Sequence, residues 1–217
     1  MSRPPVAMIA SAALVLIATT AGCASPPTGG GEAGVDDPLV ASGVDRDATL
    51  AAFSVCHGYG CAALHLIGLS PAQQRQLRAL FDPPPSSASE ERDRIAHAIA
   101  YLEKVTGERL GTSADRARTP YTGGDLDQLD CVDESINTST YLHMLKQAGL
   151  LRWHGVSAPA RRYRFLNFGV HYTAVILEQV SIATDTAYAV DAWFHPNGAA
   201  PEIVELGRWR RGWMPGD

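Results

Sequence analysis

The chain has 217 residues, of which 46% are apolar and 19% charged, with a formal net charge of −5. That length holds one ordinary domain, or a smaller one with a tail, and the composition is enough to bury a core. No run of lysine and arginine is dense enough to neutralise a row of phosphates, which argues against nucleic acid as a partner.

The first element is an export signal over residues 1–22. Arg3 precedes an apolar stretch over residues 6–18, and small residues lead to Thr20-Ala21-Gly22-Cys23. The apolar stretch is shorter than the ~20 residues that span a bilayer, so a permanent transmembrane helix is not expected. Small residues ending at a cysteine resemble the bacterial lipobox, in which that cysteine is lipidated and becomes the new N-terminus. Cys23 is therefore the candidate anchor, the lipid bilayer a partner, and the periplasm-facing cell envelope the expected location. An ordinary secretory peptide cut nearby is the competing reading. Residues 24–37 are rich in proline, glycine and serine and poor in large apolar residues, so residues 23–48 read as a flexible tether. Residues 49–217 read as the folded domain.

Of the four cysteines, Cys56 and Cys61 lie five apart around two glycines, Gly58 and Gly60. In an oxidising compartment such a pair reads as a short-loop disulfide. A metal knuckle with His57 competes, but no second ligand pair at zinc spacing follows. Cys131 is left without a partner.

Three helices come next. Ser70-Pro71-Ala72-Gln73 is a capping signal for a helix to about Phe81, ended by Pro83-Pro84-Pro85. Ser87 and Glu90 repeat the signal, and Ile95, Ile99, Leu102 and Val105 recur at helical spacing to about Thr106, with Gly107 and Gly111 closing. After loop-like residues 112–129, Asp130 caps a third helix. Asp133 and Glu134 suit its first turn, and Gly149 marks its end. Ser135, Thr138 and Ser139 follow Cys131 at helical spacing, a face small enough to pack closely on a sheet.

Strands dominate the remainder. Residues 151–156 and 161–167 are short candidates separated by Pro159. Residues 170–180 and 187–194 read as a hairpin about a turn at Thr184-Asp185. Trp209 and Trp213 are expected to wrap the core edge. Helices first and antiparallel strands later indicate an α+β fold, with N-terminal helices packed on an antiparallel sheet.

Chemistry-bearing residues converge on this frame. Cys131 falls in the first helical turn, where free amides and aligned peptide dipoles favour a thiolate. His171 opens one hairpin strand and Asp191 lies near the end of the other, so the two side chains are expected as neighbours on one face. The order fits a nucleophile, a base and a carboxylate that fixes the imidazole tautomer. Asn197 competes as orienter but sits in a turn signal with His195. His154, beside Trp153, reads as cleft lining or strand packing, and His143 as an exposed helix residue. A metal site from His154, His171, Asp191 and His195 is the weaker alternative.

Asp130-Cys131-Val132-Asp133 at a helix start, His171-Tyr172-Thr173-Ala174-Val175 on a strand and Val190-Asp191 ending the next resemble the transglutaminase-like cysteine proteinase superfamily. The match is best to its exported bacterial branch, whose Thr-Pro-containing loop has a counterpart in Thr119-Pro120. The resemblance covers roughly residues 94–191. It implies a papain-like core with Cys131 as nucleophile, His171 as base and Asp191 as orienter, using no metal or cofactor. Position 132, aromatic in transglutaminases and often acidic in the bacterial branch, is valine here. The expected activity is that of a thiol hydrolase or acyltransferase acting on amide bonds of protein or peptide in the envelope. The alternative is a binding or assembly module that keeps the residues with little chemistry. The Cys131 amide is the natural oxyanion donor, with Tyr121 or Gln128 as helpers.

Membrane association tests the anchor. Cys23→Ser is expected to release the protein into the soluble fraction on fractionation of the producing cells; retention in the membrane pellet would rule out lipidation at Cys23.

Overall fold

The computed structural model describes residues 43–120, 125–163, 170–179 and 186–217. The export signal, Cys23 and most of the proposed tether lie outside them. Among the described residues no helix is long and apolar enough to cross a membrane. The tether boundary needs correction, because Val44 and Ala48 are buried and Asp45 binds both the Thr140 hydroxyl and the Ser54 amide. The packed chain begins no later than residue 43.

Two antiparallel sheets and four helices make up the described residues. Strands β1 (Phe53–His57) and β2 (Ala63–Ile67) form a hairpin. Helices α1 (Pro71–Ala79), α2 (Ala88–Leu110) and α3 (Cys131–Gln147) follow. Strands β3 (His154–Tyr163), β4 (Val170–Glu178), β5 (Thr186–Asp191) and β6 (Glu202–Glu205) form a meander in that order, and α4 (Leu206–Arg210) ends the chain.

The helices start where their caps predict. Ser70 and Gln73 close a reciprocal capping box on α1, and the Ser87 hydroxyl accepts from the Glu90 amide on α2. Helix α2 runs past the expected stop at Thr106 and takes in Gly107. A Cβ at 107 would lie 2.6 Å from Asn197 Oδ1, so this glycine is kept for close packing, while Gly111 at φ 83° is the terminator.

Helix α3 is the centre of the fold. It packs against β4 and β3 on one side, the β1–β2 hairpin on another, and α2. Nearly every residue from Asp133 to Leu145 is buried, although many are polar. Buried polar groups need partners inside, and several of these find one, whereas Thr138 Oγ1 and Glu134 Oε2 do not. Asn137 pairs with both the amide (2.7 Å) and the carbonyl (2.8 Å) of Cys56. Ser135 and Ser139 donate to carbonyls of their own helix, and Tyr141 meets Thr106 at 3.0 Å.

The sheet is covered on both faces. Ala174, Ile176 and Val190 join α2 and α3 in the main core, while Val175, Ala189 and Ala160 pack under Leu206 and Trp209. The hairpin β4–β5 forms as expected, with Ala174 opposite Val190. Residue 180 and the turn at 184–185 lie outside the described residues, and β5 stops at Asp191 rather than Phe194.

One expectation fails. The candidates at 151–156 and 161–167 are one strand, β3, whose residues after 163 are not described. Pro159 is accommodated because β3 is an edge strand with a register shift between Ser157 and Ala160. Strands β1, β2 and β6 carry too short an alternation to stand out in the sequence.

Buried Glu91 on α2 ties that helix to the start of β3. It accepts from the amides of Arg152 (2.6 Å), Trp153 (3.0 Å) and His154 (3.0 Å) and pairs with His154 Nδ1 at 2.9 Å. Burial pushes this carboxyl up, but the bonds from His154, Arg152 and Trp153 outweigh it and hold it below the ordinary glutamate range. Its contribution is therefore present at neutral pH and lost as pH falls through the folded value. Glu91→Ala orphans these donors and is expected to lower stability by ~3 kcal/mol or more, measured by urea unfolding at pH 7. A change within the error of the titration would remove this role.

Candidate active site

The start of α3 is built by two carboxylates acting on two sides at once. Asp130 Oδ1 accepts from the amides of Val132 (2.9 Å) and Asp133 (3.0 Å), and Asp133 Oδ2 accepts back from the Asp130 amide (3.2 Å). The same carboxylates reach the loop closed by the Cys56–Cys61 disulfide, whose Cα atoms are 4.7 Å apart. Tyr59 and Cys61 amides donate to Asp133 at 2.8 and 2.6 Å, and Gly60 donates to Asp130 at 3.1 Å. Residues Gly58, Tyr59, Gly60 and Cys61 all have positive φ, between 59° and 84°. This left-handed run turns successive amides toward one side, a concavity suited to anions. The disulfide expected from spacing is present, and its loop holds the cap of the helix that carries Cys131.

The partner residues come from the sheet. His171 Nε2 lies 2.7 Å from Asp191 Oδ2, and the same oxygen accepts from Trp209 Nε1 at 2.7 Å. Extending the β4–β5 register places Asp191 level with Thr173, so His171 is its diagonal neighbour on one face. Both side chains are fully buried. The rings of Trp193, Phe194 and Trp209 surround the imidazole, with centroids at 4.6, 5.5 and 5.5 Å. His171 Nδ1 is buried and has no hydrogen-bond partner. With Nε2 tied to the carboxylate, Nδ1 is the nitrogen left for proton transfer.

Cys131 is half-buried and is the free cysteine among the described residues. Its Sγ lies 3.8 Å from the Val170 carbonyl, and the Tyr172 amide also reaches the sulfur. The thiol thus sits against the strand backbone on both sides of His171. No hydrogen bond joins it to the imidazole. The expected low thiol pKa is overturned: burial pushes the thiol up to about 12, and the Asp130 and Asp191 carboxylates push the same way. The helix-terminal charge that would favour a thiolate faces the Asp130 cap and the acidic first turn.

Other candidates find structural partners. His154 belongs to the Glu91 pair, His195 pairs with Glu202 at 2.9 Å, and Asn197 packs against Gly107 with its amide donating to the Asp115 carbonyl. Asn197 is therefore not the orienter. No cluster of three or more metal-ligating acids, histidines or cysteines occurs among the described residues. His143 is half-buried rather than exposed, and burial lowers its pKa. The Gln128 side chain donates to the Ala114 and Asp127 carbonyls, so its amide is committed to the loop, and Tyr121 lies outside the described residues. Asp130 consumes the Val132 and Asp133 amides, which leaves the Cys131 amide as the first-turn donor beside the sulfur. Trp209 is the contributor that sequence reading missed. A lone tryptophan in a tail gives no sign of the carboxylate it meets.

Buried acids back this site. Burial raises Glu103 to about 8 and Asp115 to about 6; burial and neighbouring Asp130 raise Asp133 to about 7. Glu134 is also raised, first by burial and then by Glu103, Asp115, Asp133 and Asp191. Glu103 Oε1 and Glu134 Oε2 have no hydrogen-bond partner. The folded chain therefore holds protons that an unfolded chain releases near pH 4. The resulting stabilisation is complete below that pH and declines as pH rises through the folded values. The urea midpoint is expected to be higher at pH 5 than at pH 8.5, and Glu103→Gln is expected to narrow the gap. Equal gaps in the two proteins would remove Glu103 as a source. No known protein family, curated protein or solved structure matches this chain, and the geometry of the site carries the functional reading by itself.

Proposed function

We propose that the chain is an exported, lipid-anchored thiol hydrolase or acyltransferase with a papain-like and transglutaminase-like core, acting on amide bonds of protein or peptide in the cell envelope. One observation carries the reading. A buried imidazole is fixed through Nε2 to a carboxylate at 2.7 Å, its Nδ1 is unpartnered, and a thiol lies against the backbone of the residues on either side of it, Val170 and Tyr172.

The neutral thiol sets the order of events. Cys131 rests as S–H beside the Val170 carbonyl. On attack, the side chain turns from that carbonyl and gives its proton to His171 Nδ1 as sulfur bonds to the substrate carbonyl carbon. Asp191, held by Trp209, stabilises the imidazolium. The tetrahedral oxyanion meets the Cys131 amide. Collapse breaks the C–N bond, and His171 returns the proton to the leaving amine. Water or an amine then attacks the thioester carbon while His171 Nδ1 takes its proton, the C–S bond breaks, and the imidazolium returns that proton to sulfur, giving hydrolysis or acyl transfer. No metal or cofactor enters.

The resting thiol and the missing bond between Cys131 and His171 favour a second reading, a binding or assembly module on the same frame. Acylation by p-nitrophenyl acetate separates the two. The enzyme reading expects acetylation of Cys131, detected by mass spectrometry, with a rate that His171→Ala lowers by about 100-fold or more at pH 7.5. Equal slow acetylation in both proteins leaves the module.

A further inference from the structure

The loop before α3 carries one exposed arginine in an unusual setting. Arg118 has φ 61°, a left-handed conformation that side-chain-bearing residues rarely adopt. Three hydrogen bonds keep it there. The Arg118 amide donates to the Trp193 carbonyl at 2.8 Å, Trp193 Nε1 donates to the Thr119 carbonyl at 2.8 Å, and the Thr119 hydroxyl donates to the Arg116 carbonyl at 2.7 Å. The other end of the loop is fixed by Asp115, which accepts from the Leu129 amide at 2.7 Å, two residues before Cys131. These bonds tie Arg118 to Trp193, whose ring lies tilted against the His171 imidazole at 4.6 Å. Strain held in place by surrounding bonds is found disproportionately at functional positions.

The side chain is aimed as well as anchored. The Arg118 guanidinium lies over the Phe194 ring, 5.7 Å from its centroid, and Phe194 is packed edge-on to the His171 imidazole. One aromatic ring separates the cation from the catalytic base. Neighbouring cations are occupied. Arg116 Nε donates to Gln128, and buried Arg162 donates to the carbonyls of Trp209 and Trp213. Arg118 is exposed, and among the described residues it forms no ion pair with a carboxylate. A planar, exposed guanidinium one aromatic ring from the imidazole matches a carboxylate in geometry and charge.

We propose that Arg118 is the specificity residue that receives a substrate carboxylate, so that the favoured acyl donor is an anionic peptide. The inference rests on the Cys131–His171–Asp191 reading for what the site does. It stands apart from that reading in what is measured. Asp130 and Asp191 both act on the sulfur, so an anion approaching Cys131 needs a counter-charge, and Arg118 is the cation one aromatic ring away from His171.

Alkylation of Cys131 by iodoacetate and by iodoacetamide, which differ in charge and little in size, tests the proposal on the intact protein. In each case sulfur displaces iodide and the thiol proton leaves. Arg118→Asn removes the charge while tolerating the left-handed backbone. The variant is expected to lower the iodoacetate rate about two- to fivefold, the range of an exposed ion pair, and to leave the iodoacetamide rate unchanged. Arg118→Lys is expected to restore much of the difference, and added salt to erase it. An unchanged ratio of the two rates overturns the proposal. So does an equal fall in both, which marks Arg118 as a support of the loop. Failure of the triad reading shows elsewhere, as indifference of Cys131 acetylation to His171→Ala.

Discussion

The structure depends on the grip of two aspartates on a disulfide-closed loop. Asp130 and Asp133 take three amides from residues 59–61 while capping the helix that begins at Cys131. A carboxylate satisfied by several amides fixes direction as well as position, so the grip sets where α3 starts and how it enters the core. The disulfide keeps the loop left-handed, and Asn137 extends the connection one turn further by pairing with the Cys56 backbone. Covalent bond, loop conformation and helix start act as one unit, and Cys131 is placed by it.

That unit has an electrostatic consequence. A helix N-terminus favours negative charge, but here the charge is supplied by the cap itself. The sulfur is left with little of the helix field, is half removed from water, and sits near Asp191 as well. A thiol so placed rests neutral. In the proposed reaction proton removal falls on the imidazole, whose orientation then matters more than the acidity of the thiol. The structure spends many groups on that orientation: one carboxylate, one indole donor and three aromatic rings. Removing water around the His171–Asp191 pair strengthens it, since the interaction of the two groups grows as the local dielectric falls.

Much of the polarity in the core follows from the central place of α3. A helix covered on several sides cannot turn its polar face to solvent. Asp133, Ser135, Asn137, Ser139 and Tyr141 therefore hydrogen-bond inside, and Glu134 is pushed toward its neutral form. Helix α2 shares this seam through Glu103 and Thr106. The fold therefore keeps carboxyls beside its candidate site that burial makes harder to ionise.

The sequence by itself determined the starts of α1, α2 and α3, because capping residues act within four positions of one another. It determined the β4–β5 hairpin and the closeness of His171 to Asp191, because strand alternation and one turn decide both. It also pointed to the Cys56–Cys61 bond, from spacing, glycines and the oxidising compartment that an export signal implies. The tertiary structure alone decided the rest. Helix α3 lacks a polar outer face because three layers close on it, and no period in residues 131–147 announces that. Trp209 reaches Asp191 only because the chain returns across the second face of the sheet. Residues 154–163 form one continuous strand because an edge position tolerates Pro159. The thiol's pKa, read as low from its place on a helix, is raised by burial and by the Asp130 and Asp191 carboxylates. Local hydrogen bonding is written in neighbouring residues, whereas desolvation depends on everything that packs around a group, and only the folded chain sets it.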